Sequence, residues 1–359
     1  MIIKNGVQLA VKIVVLLFFF LATTGCFPRV RVVEGADFLS KSLFYSADMK
    51  DITHIEEVDL CPPSKPDIVI FDICSMHVLD SESLSLKQKV TFKDNCILEP
   101  SIHVKSCNDF EIIDHGGGFD DVGVLDHDGK PVWLYQPPKT QIYDMASGDL
   151  NRDGELEFYV ATWSGLDQLN NKGQKNWRIG EKAWDVAVLD LGKGEMPLVV
   201  TRLDSGMLEF RDYNAKLIRN VKPQVRIYNL EICDWPSPMH FLTSSGDHIY
   251  VLDQNGKTVF HHKLGQIIGI TDNEIYAITG TSVKLSEHQP AYFAVLADFS
   301  SRSNRSALCV FSPEGKLVYK EILSSTRGIA AIPTSSSSGT EVLLVGGGPG
   351  KLYKYQLTK

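Results

Sequence analysis

Residues 149–157 read Asp149-Leu150-Asn151-Arg152-Asp153-Gly154-Glu155-Leu156-Glu157. Oxygen-bearing side chains stand at the first, third, fifth and ninth places of this run, with glycine at the sixth. Calcium is a hard cation that takes about six to eight oxygens, and alternate residues on a tight loop can converge on one such centre. Glycine permits the sharp turn that this convergence needs. The helix-loop-helix form of this chemistry requires a bidentate glutamate at the twelfth place and a helix on either side. Val160 stands at that place, and Phe158-Tyr159-Val160-Ala161-Thr162 favours strand. The loop is therefore expected to join two strands and to hold them with one structural calcium ion. The alternative is a metal-free Asp/Asn turn whose side chains cap local backbone groups.

Other runs say less about chemistry. Asp114-His115-Gly116-Gly117-Gly118-Phe119-Asp120-Asp121 gathers a histidine and three acids on a glycine run. It reads as a flexible loop, with a ligand pocket or a second metal site as the alternative. Gly346-Gly347-Gly348-Pro349-Gly350 lacks the strand–loop–helix setting and the Lys-Ser/Thr of a phosphate loop, so it reads as a strand connection. His261-His262 reads as a solvated strand end, and Ser335–Gly339 as a polar loop. There is no Gly-x-Ser-x-Gly element, and no paired carboxylates stand in a context that names a reaction. Nothing in these runs points to an enzyme.

The elements that must position the acidic loop announce themselves through a recurring turn. Asp126-His127-Asp128-Gly129-Lys130 returns as Asn170-Asn171-Lys172-Gly173-Gln174 and as Asp212-Tyr213-Asn214-Ala215-Lys216. It returns again as Asp253-Gln254-Asn255-Gly256-Lys257 and Ser312-Pro313-Glu314-Gly315-Lys316. Measured at the glycine or alanine, the steps are 44, 42, 41 and 59 residues. An aromatic stands four places past the glycine at Trp133, Trp177, Phe260 and Tyr319. A period of about 40–50 residues with short strands around a glycine turn is the signature of propeller blades. Diverged copies on both sides bring the count to seven, at 54–93, 94–138, 139–180, 181–222, 223–265, 266–325 and 326–359. The long step implies an insertion around Thr271–Gln289. The last copy is one strand short, and Phe38–Tyr45 has the composition to complete it by pairing with Tyr353–Leu357. The expected fold is thus an all-β, seven-bladed β-propeller closed by an N-terminal strand. Trp133, Trp163, Trp177 and Trp184 are expected to pack between blades rather than to form a carbohydrate platform.

The formal net charge is −8, and no basic cluster of the kind that neutralises phosphates is present, which argues against a nucleic-acid partner. At the N-terminus Lys4 and Lys12 precede the apolar run Ile13–Ala22, which is short for a membrane span of about 20 residues. Thr23, Thr24, Gly25 and Cys26 follow. This layout resembles a bacterial lipoprotein signal, in which cleavage precedes a cysteine that becomes lipid-modified. The resemblance implies a signal peptide over 1–25, lipidation at Cys26, a linker over 26–37 and a propeller over 38–359. With Phe27 after the cysteine, it implies an outer-membrane location. The alternative is an ordinary cleaved signal or an uncleaved anchor. Six further cysteines remain, and an even number in an exported chain permits disulfides. The nearest neighbours in sequence, Cys61 with Cys74 and Cys96 with Cys107, are the candidate pairs. Cys233 and Cys309 read equally well as small buried hydrophobes.

The acidic loop within this repeat resembles the calcium loop of FG-GAP (VCBS) repeats, as in the integrin α-subunit propeller. The resemblance implies Asp149, Asn151, Asp153 and Glu157 as side-chain ligands and the backbone carbonyl of Glu155 as a further one. Asp190–Glu195 keeps the register in the next blade but has lost the ligands. Such a protein is expected to bind a partner in the cell envelope, a protein or a glycan, through its loops, without catalysis. Two rivals stay open. The endings Gly129/Trp133 and Gly173/Trp177 look like those of quinoprotein-like propellers that are accessory lipoproteins of outer-membrane protein assembly. A propeller enzyme acting on polysaccharide is the other, because a fold does not fix a function.

Overall fold

The computed structural model describes residues 33–358, except 36, 47–48, 50–51, 62–64, 73, 93–99, 108, 115–120, 139, 191–195, 234, 236–239, 265–274, 276, 300–304, 325, 334–338 and 349. The signal segment, Cys26, Cys96, most of the Asp114–Asp121 run and residues 335–338 lie outside the described residues.

The described residues begin with two strands, β1 (Val33–Glu34) and β2 (Leu39–Ser46). Seven blades follow. Blade one holds β3–β6 (His54–Val58, Asp67–Phe71, Ser75–Asp80, Leu86–Thr91) and blade two β7–β10 (Ser101–Ser106, Asp109–Asp114, Val122–Asp126, Pro131–Tyr135). Blade three holds β11–β14 (Ile142–Gly148, Glu157–Thr162, Gly165–Leu169, Lys175–Ile179) and blade four β15–β18 (Ala183–Leu189, Leu198–Leu203, Leu208–Arg211, Leu217–Val221). Blade five holds β19–β22 (Glu231–Cys233, His240–Ser245, His248–Leu252, Thr258–Lys263) and blade six β23–β26 (Ala277–Val283, Tyr292–Asp298, Arg305–Phe311, Leu317–Ser324). Blade seven takes β27–β29 (Ile329–Pro333, Glu341–Gly347, Lys351–Leu357) and completes its sheet with β2.

The β-propeller ring closes as the sequence implies. Strand β2 runs antiparallel to β29, with Leu39 opposite Leu357 and Leu43 opposite Tyr353. Strand β1, in the segment read as linker, adds to the outer edge of blade six, with Val33 opposite Glu321. The N-terminal segment thus spans two blades. The sequence reading of the insertion needs correction. Ala277–Val283 is not inserted but is the first strand of blade six, paired along its length with β24.

Each blade interface owns a hydrophobic core. Ile68, Ile70 and Ile55 of blade one meet Val342 and Leu344 of blade seven. Val69 and Val78 meet Ile112 and Leu125 of blade two, and comparable clusters fill the other five junctions. The second and third strands are buried on both faces, which is why Ile68-Val69-Ile70-Phe71 and Phe158–Thr162 are continuous apolar or β-branched runs rather than alternating ones.

The first strands line the middle of the ring and leave one edge unpaired within their own sheets. Carboxylates cap those edges from the preceding blade. Glu56 Oε2 accepts the Ile102 N–H at 3.0 Å and Asp144 Oδ2 accepts the Val186 N–H at 2.9 Å, while Glu231 Oε1 accepts the Thr279 side-chain hydroxyl at 2.9 Å and ties the next first strand without capping its backbone. Capped edges of this kind resist pairing with other chains.

The recurring turn joins the third and fourth strands. In blade two, Asp126 Oδ1 accepts the N–H of Asp128 and of Lys130, and Gly129 has φ +78°. Asn170, Asp212 and Asp253 repeat the double acceptance, and Ala215 takes the glycine position at φ +67°. Each such hairpin carries a register shift beyond the turn, as expected where a left-handed residue follows a type I turn.

Candidate functional site

The acidic loop connects β11 to β12, the two innermost strands of blade three. Asp149 follows the end of β11 and Glu157 opens β12, so the blade itself fixes both ends of the loop. Carboxylate oxygens of Asp149, Asp153 and Glu157 lie within 4.8 Å of one another. The fold between them is a nest of side-chain acceptors. Asp149 accepts the N–H of Asp153 at 3.0 Å and of Gly154 at 2.9 Å. Asn151 Oδ1 accepts the Asp153 N–H at 2.8 Å while its amide donates to Asp153 Oδ2 at 2.9 Å. Glu157 Oε2 accepts the Leu150 N–H at 2.8 Å. Arg152 and Gly154 both take positive φ, +61° and +91°, which turns the chain tightly enough to bring the fifth residue back over the first.

Glu157 is buried, and burial raises its carboxyl above the usual carboxylate value. The Asp153 and Asp149 charges push the same way, against the hydrogen bond from Leu150. Three carboxylates this close repel one another, and a divalent cation among them relieves that repulsion. The donor set consists of hard oxygens with no thiol or imidazole, which suits calcium. The residues present fit the ion.

The structure therefore brings together Asp149, Asn151, Asp153 and Glu157. The Glu155 side chain turns away, its Oε2 accepting from Asn171 Nδ2 at 2.6 Å in the outer turn of the same blade. That leaves only its backbone for the centre. Across the junction, Arg152 lies 3.8 Å from Asp190, which opens the degraded loop in blade four.

The cysteine pairings require correction. Cys61 is bonded to Cys107, across 46 residues, so neither Cys61–Cys74 nor Cys96–Cys107 forms. Proximity in sequence misled because the partners sit on matching loops of neighbouring blades. Cys61 follows β3 and Cys107 follows β7, both between first and second strands, on the face that carries the acidic loop. Cys233 and Cys309 are buried thiols in the core between blades five and six, and burial pushes Cys309 up to about 12.

The tryptophans divide. Trp133 and Trp177 pack between blades and donate to the next blade's turn, at Asn171 O and Tyr213 O, both 3.1 Å. Trp163 does not pack there. It is 58% exposed, in the turn between β12 and β13 on the opposite face. Sequence reasoning also missed the capping acids Glu56 and Asp144, the tie from Glu231 and the buried pair Lys41–Glu321. A lone acid on a strand carries no local signal of the blade it reaches.

No protein-family profile matches this chain, and no curated protein sequence matches it. Solved structures do. BBS1N, crystallised in complex with ARL6DN and soaked with lead, aligns with a TM-score of 0.57 and 14% identity over 89% of this chain and 97% of its own. The mercury-soaked crystal of that complex gives the same values. The Pan2 WD40 domain of Neurospora crassa aligns with a TM-score of 0.51 and 10% identity over 91% of this chain and 99% of its own. At such identities the likeness shows the fold, a β-propeller.

Proposed function

We propose that this chain is an exported, lipid-anchored β-propeller that binds a protein partner in the bacterial envelope without catalysing a reaction. Its 149–157 loop holds one structural calcium ion through Asp149, Asn151, Asp153, Glu157 and the backbone of Glu155. The observation that carries this reading is the contrast between rim and face. The outer turns of blades two to five repeat one hydrogen-bond pattern, and Trp133 and Trp177 staple blades two and three to the blade that follows each. The connections on the face opposite the acidic loop differ, from Gly180–Lys182 between blades three and four to residues 222–230 between blades four and five. A rigid frame that presents dissimilar loops is what recognition uses.

Export is supported by the apolar run Ile13–Ala22 ahead of Cys26, and by the Cys61–Cys107 bond, since disulfides persist in oxidising compartments. BBS1N has been crystallised with a protein partner, which agrees with a binding role for this architecture. The bound calcium supplies charge neutralisation among three carboxylates and so fixes the inner hairpin of blade three. Cross-linking in intact envelopes, followed by mass spectrometry on the captured protein, tests the role. One reproducible protein partner is expected. Enrichment of glycan alone would move the reading to carbohydrate binding or to a polysaccharide-active enzyme.

A second reading keeps the binding class and makes the chain an accessory lipoprotein of outer-membrane protein assembly. The stapling of Trp133 and Trp177 onto the next blade favours it, because the Gly-x-x-x-Trp ending is the feature shared with quinoprotein-like propellers. The same cross-linking separates the two, since this reading names the assembly machinery as the captured partner.

A further inference from the structure

Three aromatic rings and one ammonium meet on the face opposite the acidic loop, at the junction of blades three and four. Trp163 sits in the turn after β12, its backbone N–H donating to Gln141 O at 2.9 Å. Lys182 leads into β15, and its Nζ lies 3.5 Å from the centroid of the Trp163 ring and 3.7 Å from that of Trp184. Tyr143 stands behind, 5.4 Å from the same ammonium, its ring centroid 4.4 Å from that of Trp184. Asp204 completes the group. It accepts the Trp184 Nε1–H at 2.8 Å and lies 3.9 Å from Lys182 Nζ, beyond hydrogen-bond reach. The ammonium is thus held mainly by ring faces, the arrangement by which proteins recognise organic cations.

The exposure of the parts is uneven. The Lys182 side chain is 15% exposed, while that of Asp204 is 59% exposed and Trp163 is 58% exposed. A cage built only to seat its own lysine would gain nothing from leaving its widest ring and its carboxylate in water.

We propose that Tyr143, Trp163, Trp184 and Asp204 form a docking site for a lysine side chain of a partner protein, which Lys182 fills in the unbound chain and vacates on binding. Lys182 itself shows that a primary ammonium on a four-carbon stem fits. Trp163 and Asp204 form the open side by which a second lysine enters. Asp204 supplies the exposed carboxylate for an entering ammonium, while Arg202, 5.6 Å from the Trp184 ring, is already engaged by Asp185. Lysine exchanges for lysine, so the site contributes specificity, and neighbouring contacts such as the exposed Tyr228 supply affinity. The proposal rests on reading the ring as a protein-binding platform.

The test is tryptophan fluorescence of the parent, Lys182→Ala and Lys182→Ala/Trp163→Ala proteins titrated with Nα-acetyl-lysine amide. The norleucine analogue is the control, and thermal melts confirm that each variant folds, with Lys182→Gln in reserve. Lys182→Ala should respond saturably at concentrations at least tenfold lower than the parent, the norleucine analogue should be silent, and Trp163→Ala should remove the response. No saturable response in a folded Lys182 variant would overturn the proposal. So would tighter binding of Nα-acetyl-arginine amide or tetramethylammonium, which would assign the cage to a different cation. A silent cage would leave the platform reading standing if a partner is cross-linked elsewhere on the ring.

Discussion

The indole of Trp133 lies against Gly173 of the next blade, and its Nε1 donates to the carbonyl of Asn171 two residues before that glycine. A β-carbon placed on Gly173 would come 2.6 Å from Trp133 Cε3, and the residue already holds φ +72°. One glycine therefore answers two demands, a left-handed turn and a ring at its back. Gly129 meets Val90 and Phe92 in the same way, and Gly315 meets Phe260.

Gly173→Ala should cost about 2–3 kcal/mol, from left-handed strain plus displacement of the indole. Gly206→Ala is the control, since it has φ +77° with nothing within 4 Å of its β-carbon and should cost about 1 kcal/mol. Urea unfolding of the two variants measures the difference. Equal losses would show that the indole contact contributes nothing.

Ala215 holds φ +67° where its sister turns have glycine. Ala215→Gly removes that strain but adds freedom to the unfolded chain, and the net gain should be about 0.5 kcal/mol. A destabilised variant in the same urea assay would mean that the alanine methyl packs favourably enough to outweigh its backbone strain.

These turns explain how much could be read in advance. The Asp…Gly spacing reports a local hydrogen-bond pattern, so the blade number was legible, and the strand missing from the last copy pointed to the closing strand β2. The gathering of the Asp149, Asp153 and Glu157 carboxylates was legible too, because these residues share one short loop. Contacts between blades were not. Cys61 meets Cys107 and Glu56 meets Ile102 because the ring sets equivalent positions side by side, and Lys182 meets Trp163 because the link into blade four passes the turn between β12 and β13; the chain between the partners carries no trace of either. The strand Ala277–Val283 was read as insertion for a related reason. Its Gly280 and flanking threonines lack the apolar run that marks a buried strand, because a first strand faces the centre of the ring.

Glu321 is buried at the junction of blades six and seven. Lys41 Nζ donates to it at 2.9 Å, Tyr319 Oη at 2.9 Å and Tyr355 Oη at 2.8 Å. Burial raises its carboxyl, but the Lys41 ion pair and the two tyrosines outweigh burial and hold it below the ordinary value of 4.5. A lowered folded value means stability fully present above pH 4.5 and lost as pH falls through the folded value. Glu321→Gln should cost about 3 kcal/mol at neutral pH, since Lys41 loses its carboxylate. It should also flatten the acid limb of the stability profile, and an unchanged limb would contradict the pairing.

Calcium should raise the melting temperature of the parent protein by several degrees at a hundredfold excess over Kd, equivalent to about 2.7 kcal/mol. Asp153→Ala should abolish the shift. The Glu157 carboxyl is raised in the fold, so without metal its contribution declines as pH rises through the window between its ordinary and raised values. The ion requires it ionised, so the calcium shift should shrink as pH falls through that window. A parent melt that is the same in calcium and in chelator would remove the loop as an ion cage.

The most direct measurement is site-specific photo-cross-linking in intact envelopes, with the probe at Tyr228 on the face opposite the acidic loop or at Ile218 on the outer rim, both exposed. The account predicts one discrete protein adduct from position 228 and none from 218. Adducts from the rim alone, or from neither position, would contradict a protein-binding platform that works through this face.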